Sequence, residues 1–280
     1  MARYLLHDFI IEKYIKQALE EDIGFGDIST DFIAGENDTL RGVFNSRSEG
    51  IVCGVDIVKM VFKILDPDVK VTILKTDGEK IKKGDDIAIV EGNARYILTG
   101  ERTALNYIQR MSGIATLTHK YQEAIKPYSA SIVDTRKTTP NFRMFEKYAV
   151  KIGGSSLHRF NLSDCVMLKD NHIKLAGNIT EAVQRVRKHI SHAHKIEVET
   201  DNLEQVDEAI KAGADIIMLD NMDSDTIKKA LKIINGKAIV EASGNINLNN
   251  INEIASTGVD IISSSAIVAK ASTLDIGLDM

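Results

Sequence analysis

The sequence predicts an α/β fold, a barrel-like and incomplete β/α repeat preceded by an α+β amino-terminal domain. Three observations carry that reading. After Gly113 short apolar runs alternate with amphipathic stretches, and the runs end at Asp134, Lys169, Glu199, Asp220, Glu241 and Ser263. The later ends recur 21 residues apart, Glu199 to Asp220 and Asp220 to Glu241, and then 22 apart, Glu241 to Ser263. A unit of that length is one strand and one returning helix, which demands parallel strands and right-handed crossovers; several in succession curl toward a barrel. Before Gly113, short strand-like runs separated by turn signals surround a single amphipathic helix. The expected domains are therefore 1–112 and 113–280.

The elements follow in order. Residues 9–20 set Ile11, Tyr14, Ile15, Ala18 and Leu19 at helical spacing, with Asp8 as the expected N-cap. LRGVF, GIVCG, VKVTIL and DIAIVEG read as strands around the helix VDIVKMVFKIL, with turns at Asp66-Pro67-Asp68, Asp77-Gly78 and Gly84-Asp85. A helical pattern from Ala94 to Met111 is expected to stop at Ser112-Gly113, and it carries Glu101 and Arg102, a charged pair that reads as a solvated face. Beyond it EAVQRVRKHI, LEQVDEAIKAG, DTIKKALKII and NNINEIASTG supply helices between the strands.

Composition narrows the function classes. The 280 residues are 44% hydrophobic and 27% charged, the balance of a soluble globular protein, and no apolar run approaches the roughly 20 residues that span a bilayer. In the opening stretch Met1 to Asp8 an acidic residue arrives too early for a secretory leader, so a cytoplasmic enzyme is expected. Cys53 and Cys165 lie far apart without a CxxC partner and read as buried free thiols. A net charge of −5 argues against a nucleic-acid partner, whereas the basic residues gathered between 136 and 174 suit a small anionic ligand. No GxGxxG or GxxxxGK[ST] stands at a strand-to-helix turn, which leaves dinucleotide and Walker-type nucleotide binding unsupported.

In a β/α barrel the loops after the strands share one face, and that face carries function. Here it would collect Arg136, Lys137, His158, Arg159, Lys169, Glu199, Asp220, Ser243 and the serines at 263 to 265. The cations come from the first half and the carboxylates from the second, a division suited to an anionic substrate beside a hydroxylated or metal-bound group. The loops SGNIN and SSSA stand where barrels often bind phosphate, although Ser243 and Ser263 could equally cap helices and Asp220-Asn221 could form an Asx-turn. The run His189, His192, His194 lacks an i, i+4 pair facing a carboxylate and reads as a solvated helix end and loop. Chemistry alone leaves a Schiff-base aldolase working through Lys169 as a rival, and a non-enzymatic binding protein as a third class.

Four motifs in fixed order, DTRKTTP, EKYAVKIGG, HRFNLSD and LKDNH, resemble the quinolinate phosphoribosyltransferase family. The likeness extends through ALEEDIGFGDIST, ERTALNYIQRMSGIATLT, IEVETDNLEQ, AGADIIMLDNM, EASGNI and LDIGL, and so covers nearly the whole chain. It implies transfer of phosphoribose from phosphoribosyl pyrophosphate to quinolinate with Mg2+, releasing pyrophosphate and carbon dioxide and leaving nicotinate mononucleotide. By that resemblance Arg136, His158, Arg159 and Lys169 would surround the quinolinate carboxylates, with Lys137 and Lys169 also facing the pyrophosphate. Glu199 and Asp220 would hold ribose hydroxyls and Mg2+; the loops at Ser243, Gly244 and Asn245 and at Ser264 and Ser265 would hold the 5′-phosphate. Arg102 would reach a neighbouring subunit's site, making a homodimer the smallest active unit. The sequence departs from the family pattern at Ser155, Asn161, Asn245 and Ser265, where glycine is expected, and at Leu157, where asparagine is expected. A non-catalytic paralogue, or a relative encoded with molybdenum transporters, is the alternative within the family; the intact KDNH at 169–172 argues against the latter.

Overall fold

The computed structural model describes residues 6–280, so the first five residues of the stretch weighed as a leader lie outside the described residues. The first half runs α1 (Asp8–Ile23), α2 (Thr30–Ile33), β1 (Thr39–Ser46), β2 (Gly50–Ile51), α3 (Val55–Leu65), β3 (Lys70–Ile73), β4 (Lys80–Ile81), β5 (Asp86–Asn93) and α4 (Ala94–Ala124). Next come β6 (Ser131–Val133), α5 (Arg143–Ile152), β7 (Val166–Leu168), α6 (Asp170–Ala176), α7 (Ile179–Arg187), β8 (Ile196–Thr200) and α8 (Leu203–Ala212). The chain closes with β9 (Ile216–Asp220), α9 (Ser224–Ile234), β10 (Ile239–Ser243), α10 (Ile251–Ser256), β11 (Ile261–Ser263), α11 (Ala266–Ala269) and β12 (Ile276–Asp279).

Two compact units divide the chain. The first takes in the chain up to His119, Thr138–Gly154 and Lys270–Met280; the second takes in Lys120–Lys137 and Ser155–Ala269. Two later segments thus return to the first unit across the single division expected at Gly113. One is β12, which adds to the edge of β1 in an antiparallel sheet of order β12-β1-β5-β3. The other is α5, whose Phe145 is fully buried against the rings of Tyr14, Tyr107 and Phe142.

Several local expectations are corrected in this unit. Helix α1 buries Ile11, Ile15 and Leu19 as its spacing requires, but its cap is the extended His7, and Asp8 is already helical. GIVCG gives a strand of only two residues, because Val52 and Cys53 lead straight into α3. There Gly54, at φ 106°, turns the chain while the Asp77 carboxylate accepts from Gly54 N and Val55 N at 2.8 and 3.1 Å. Helix α4 does not stop at Ser112-Gly113 but continues to Ala124. Both residues serve packing instead: Ser112 Oγ accepts from Cys53 N, and Gly113 lets the segment at Ser272 lie against the bare helix backbone.

The second unit is one six-stranded sheet of order β6-β11-β10-β9-β8-β7, parallel throughout. β6 and β7 are its ends, so the barrel-like sheet is not closed; a lone parallel bridge from Val133 to Ser156 extends the β6 edge. The sequence repeats a device at the amino ends of the strands. In GADII and GVDII a glycine, Gly213 or Gly258, takes positive φ after a helix, and the aspartate two residues on ties the neighbouring strand. Asp215 Oδ2 accepts from Ile196 N at 2.7 Å, and Asp260 Oδ2 accepts from Val240 N at 2.8 Å. Both cysteines are free, with Cys53 buried as expected and Cys165 only half-buried. Among the described residues no helix is long and apolar enough to cross a membrane.

Gly113 separates a helix-stop role from a packing role by the sign of one substitution. In an ordinary helix interior Ala in place of Gly stabilises by about 1 kcal/mol. A Cβ at Gly113, however, would lie 1.9 Å from the carbonyl oxygen of Ser272, a backbone atom that cannot swing away. Gly113→Ala is therefore expected to destabilise by about 1–3 kcal/mol, the cost of overpacking; a melting temperature at or above that of the parent would contradict the close approach.

Candidate active site

Because every strand of the second sheet runs the same way, their carboxyl ends lie along one edge. Leu168 ends β7 and presents Lys169; Glu199 and Thr200 end β8, Asp220 ends β9, Ser243 ends β10 and Ser263 ends β11. Arg136 and Lys137 follow β6, with Lys137 N donating to Thr135 Oγ1 at 3.0 Å. All the residues expected on the barrel face thus belong to this unit. Arg102 belongs to the other, exposed on α4 as its place in a solvated face requires.

The edge joins the cationic and acidic halves directly at one point, where Lys169 Nζ contacts Glu199 Oε2. Lys169 keeps its main chain extended, and its N–H donates to His172 Nδ1 at 3.1 Å, which uses the histidine of the KDNH motif to fix the turn into α6. A Schiff-base lysine is activated by desolvation or a neighbouring cation. Lys169 instead has a carboxylate as its partner, and 44% of its side chain is exposed.

Arg159 donates from Nη1 to Cys165 O at 2.8 Å, which anchors the arginine across its own loop. Its neighbour His158 is held from three directions. Asp134 Oδ1 accepts from His158 N at 2.9 Å, Arg159 N donates to His158 Nδ1 at 2.7 Å, and Nε2 lies 3.4 Å from Glu197 Oε2 and 3.5 Å from Glu241 Oε2. Burial pulls the His158 pKa down, but hydrogen bonding and charge from the two glutamates outweigh it and push it up to about 10. Glu197 is pushed up by burial and by the charge of Glu241, against the hydrogen bond from His158. The glutamates thus favour a charged ring, whereas the main-chain N–H aimed at Nδ1 favours a bare nitrogen there; the direct contact decides for a single ring proton on Nε2, facing the two glutamates.

Glu197 and Glu241 were not among the expected site residues. With His158 they form a group whose ligand atoms lie within 4.8 Å of one another, distinct from the expected metal pair Glu199 and Asp220. Glu197 stands two residues before Glu199 in IEVET and so shares its face of β8. A second carboxylate two residues before Glu199, on the same face of the strand, was the available signal.

The acidic end of the edge continues as a chain of amides. Asn221 Nδ2 donates to Asp220 Oδ2 at 2.7 Å, Asn245 Nδ2 donates to Asn221 Oδ1 at 2.9 Å, and Asn245 O accepts from Asn247 Nδ2 and Asn250 Nδ2. Gly244, at φ 92°, leaves room for this, since a Cβ there would lie 2.3 Å from Asn221 Oδ1. Of the four departures from glycine only Asn245 takes positive φ, 52°, and asparagine tolerates that region. Ser155, Asn161 and Ser265 carry no such strain. Ser264 is turned inward: it is 4% exposed and its Oγ donates to Ile246 O at 3.0 Å, while Ser265 is half-buried.

Known proteins resemble this chain over nearly its whole length. The family model described as "Quinolinate phosphoribosyl transferase, N-terminal domain" matches residues 27–112, and the one described as "Quinolinate phosphoribosyl transferase, C-terminal domain" matches residues 114–279. A Synechocystis protein named probable nicotinate-nucleotide pyrophosphorylase (carboxylating) is 44% identical over 274 residues, which cover 97% of this chain and 92% of that one. The NadC crystal structure from Streptococcus pyogenes superposes with a TM-score of 0.95 at 38% identity, covering 98% of this chain and 97% of that one. The nicotinate-nucleotide pyrophosphorylase structure from Francisella tularensis gives 0.93 at 40% identity, with 98% and 97% covered.

Proposed function

The chain belongs to the quinolinate phosphoribosyltransferase family, an enzyme family of NAD biosynthesis, and from that premise we propose how its strand-edge site works. The reaction joins quinolinate to phosphoribosyl pyrophosphate, releases pyrophosphate and carbon dioxide, and leaves nicotinate mononucleotide. The observation that carries this reading is the single sheet edge on which basic residues of the first strands meet carboxylates of the later ones, in contact at Lys169 and Glu199. An aldolase is disfavoured by the same contact.

Glycosyl transfer develops positive charge on the ribose ring and negative charge on the departing phosphates, so the chain must offer carboxylates to one and cations to the other. Arg136, Arg159 and Lys169 hold the quinolinate carboxylates beside His158, and Lys137 and Lys169 face the pyrophosphate. Glu199 and Asp220 take the ribose hydroxyls. They are also the oxygen donors that fit Mg2+, which binds through one or two carboxylates together with substrate phosphates. When bound, that ion supplies charge neutralisation at the leaving group. The Ser243-Gly244-Asn245 loop receives the 5′-phosphate with the backbone at Ser264 and Ser265, and the amide chain through Asn221 holds that loop against Asp220. Once the ring nitrogen is quaternised it accepts the electron pair left by carbon dioxide, so the protein's duty is positioning. We place the enzyme in the cytoplasm as a homodimer in which Arg102, exposed on α4, completes the partner subunit's site.

With quinolinate, phosphoribosyl pyrophosphate and Mg2+, folded protein is expected to form nicotinate mononucleotide and carbon dioxide in equal amounts; no product would sink the assignment. Quinolinate should be strongly preferred to nicotinate, since sites built around a polar group reject analogues lacking it by about 10⁴-fold. Arg159→Ala should lower kcat/KM for quinolinate far more than any residual nicotinate turnover, and comparable values for the two acids in the parent would refute the division of the cations. Arg102→Ala and Lys169→Ala subunits should each be inactive alone and regain activity when mixed, because one site of each mixed dimer then carries neither change. Silence after demonstrated subunit exchange would show that Arg102 does not act across the interface.

A further inference from the structure

The two most costly side chains near the site are ones the reaction does not obviously need. Glu197 and Glu241 are 1% and 2% exposed on neighbouring parts of one sheet, and the Oε1 atom of each has no hydrogen-bond partner. Burying a carboxylate costs several kcal/mol even after relaxation, and apolar residues of similar volume commonly fill such positions with no loss of stability. Stability alone therefore does not account for the pair. Their other oxygens converge on one atom, Nε2 of His158.

That convergence completes a clamp. Asp134, fully buried, accepts from the His158 main-chain N–H; the glutamate oxygens face Nε2–H as acceptors; and Nδ1 accepts from Arg159 N. Both ring nitrogens are thereby used inside the protein, and the peptide that carries the Arg159 guanidinium is fixed by the ring. A metal ion on the trio is disfavoured by the same geometry. It would need the Nε2 lone pair, whereas the donor at Nδ1 places the proton on Nε2.

We propose that Glu197 and Glu241 are positioning residues that act through His158: they hold its imidazole as a buttress under Arg159, and so set the quinolinate cradle without touching substrate. This rests on the reaction proposed above. It assigns His158 to support rather than to direct capture of a carboxylate.

Two measurements test it. In protein labelled with 15N at histidine, with His158→Asn to identify the resonance, His158 should show Nε2 protonated and Nδ1 bare, and Glu241→Gln should alter that signature. A protonated Nδ1 would overturn the clamp whether or not the enzyme turns over. In steady-state kinetics Glu241→Gln should raise KM for quinolinate by about tenfold or more, the scale of one hydrogen bond to a charged group. KM for phosphoribosyl pyrophosphate and kcat should stay within about threefold, less than 1 kcal/mol. His158→Asn should reproduce this, and the double variant should be no worse than either single one. A purely structural pair would lower the melting temperature and the active fraction with KM unchanged, and additive losses would mean the glutamate does not work through the ring; either result overturns the proposal. An inactive parent would instead refute the reaction itself.

Discussion

Six strands hydrogen-bonded in parallel, each in register with the next, bring six carboxyl ends to one edge, and the chemistry of this chain depends on that constraint. The carboxyl end of a strand is where the main chain leaves the ladder, so its next side chains are free to face a ligand while the strand holds their origin rigid. The amino ends have the opposite task. Asp215 and Asp260 spend their carboxylates there on the N–H groups of neighbouring strands, which pins the register from below.

Along the edge the cationic residues stand at its two ends, after β6 and around β7, and the carboxylates lie on strands between them. Arg136, Arg159 and Lys169 ride on the loops after β6 and around β7, whereas Glu199 and Asp220 end the adjacent β8 and β9. An anionic acceptor and a ribosyl centre that becomes cationic can then lie side by side, each facing the opposite sign. Lys169 and Glu199 touch where the halves meet, so neither charge is left uncompensated before substrate arrives.

Polar groups below the edge are supported rather than exposed. Asp134, Glu197 and Glu241 surround a single dipeptide, His158-Arg159, and the asparagines at 221, 245, 247 and 250 tie one loop to Asp220. Such networks trade desolvation for a fixed geometry, the property that holding substrates in line requires.

The sequence by itself determined the repeat and the edge. Periodicity is a local property, so the spacing picked out strand ends at Lys169, Glu199, Asp220, Glu241 and Ser263, of which the fourth lies two residues further on, at Ser243, and the motifs from DTRKTTP to KDNH named the family. Tertiary structure decided what depends on contacts between distant residues. Ser112-Gly113 has the composition of a helix stop, yet α4 passes through it because the glycine is needed where Ser272 lies against the helix. β12 pairs with β1 across more than two hundred residues, and α5 returns to the first unit, so a boundary read from local pattern could not place them. Whether a residue in a glycine's place is strained depends on φ, which residue type alone does not give; of Ser155, Asn161, Asn245 and Ser265 only Asn245 takes a left-handed backbone, and asparagine accommodates it. Glu197 and Glu241 show the limit most plainly: a glutamate in a strand reads as exposed until its neighbours are known, and here the neighbour that makes its burial tolerable is a histidine from another loop.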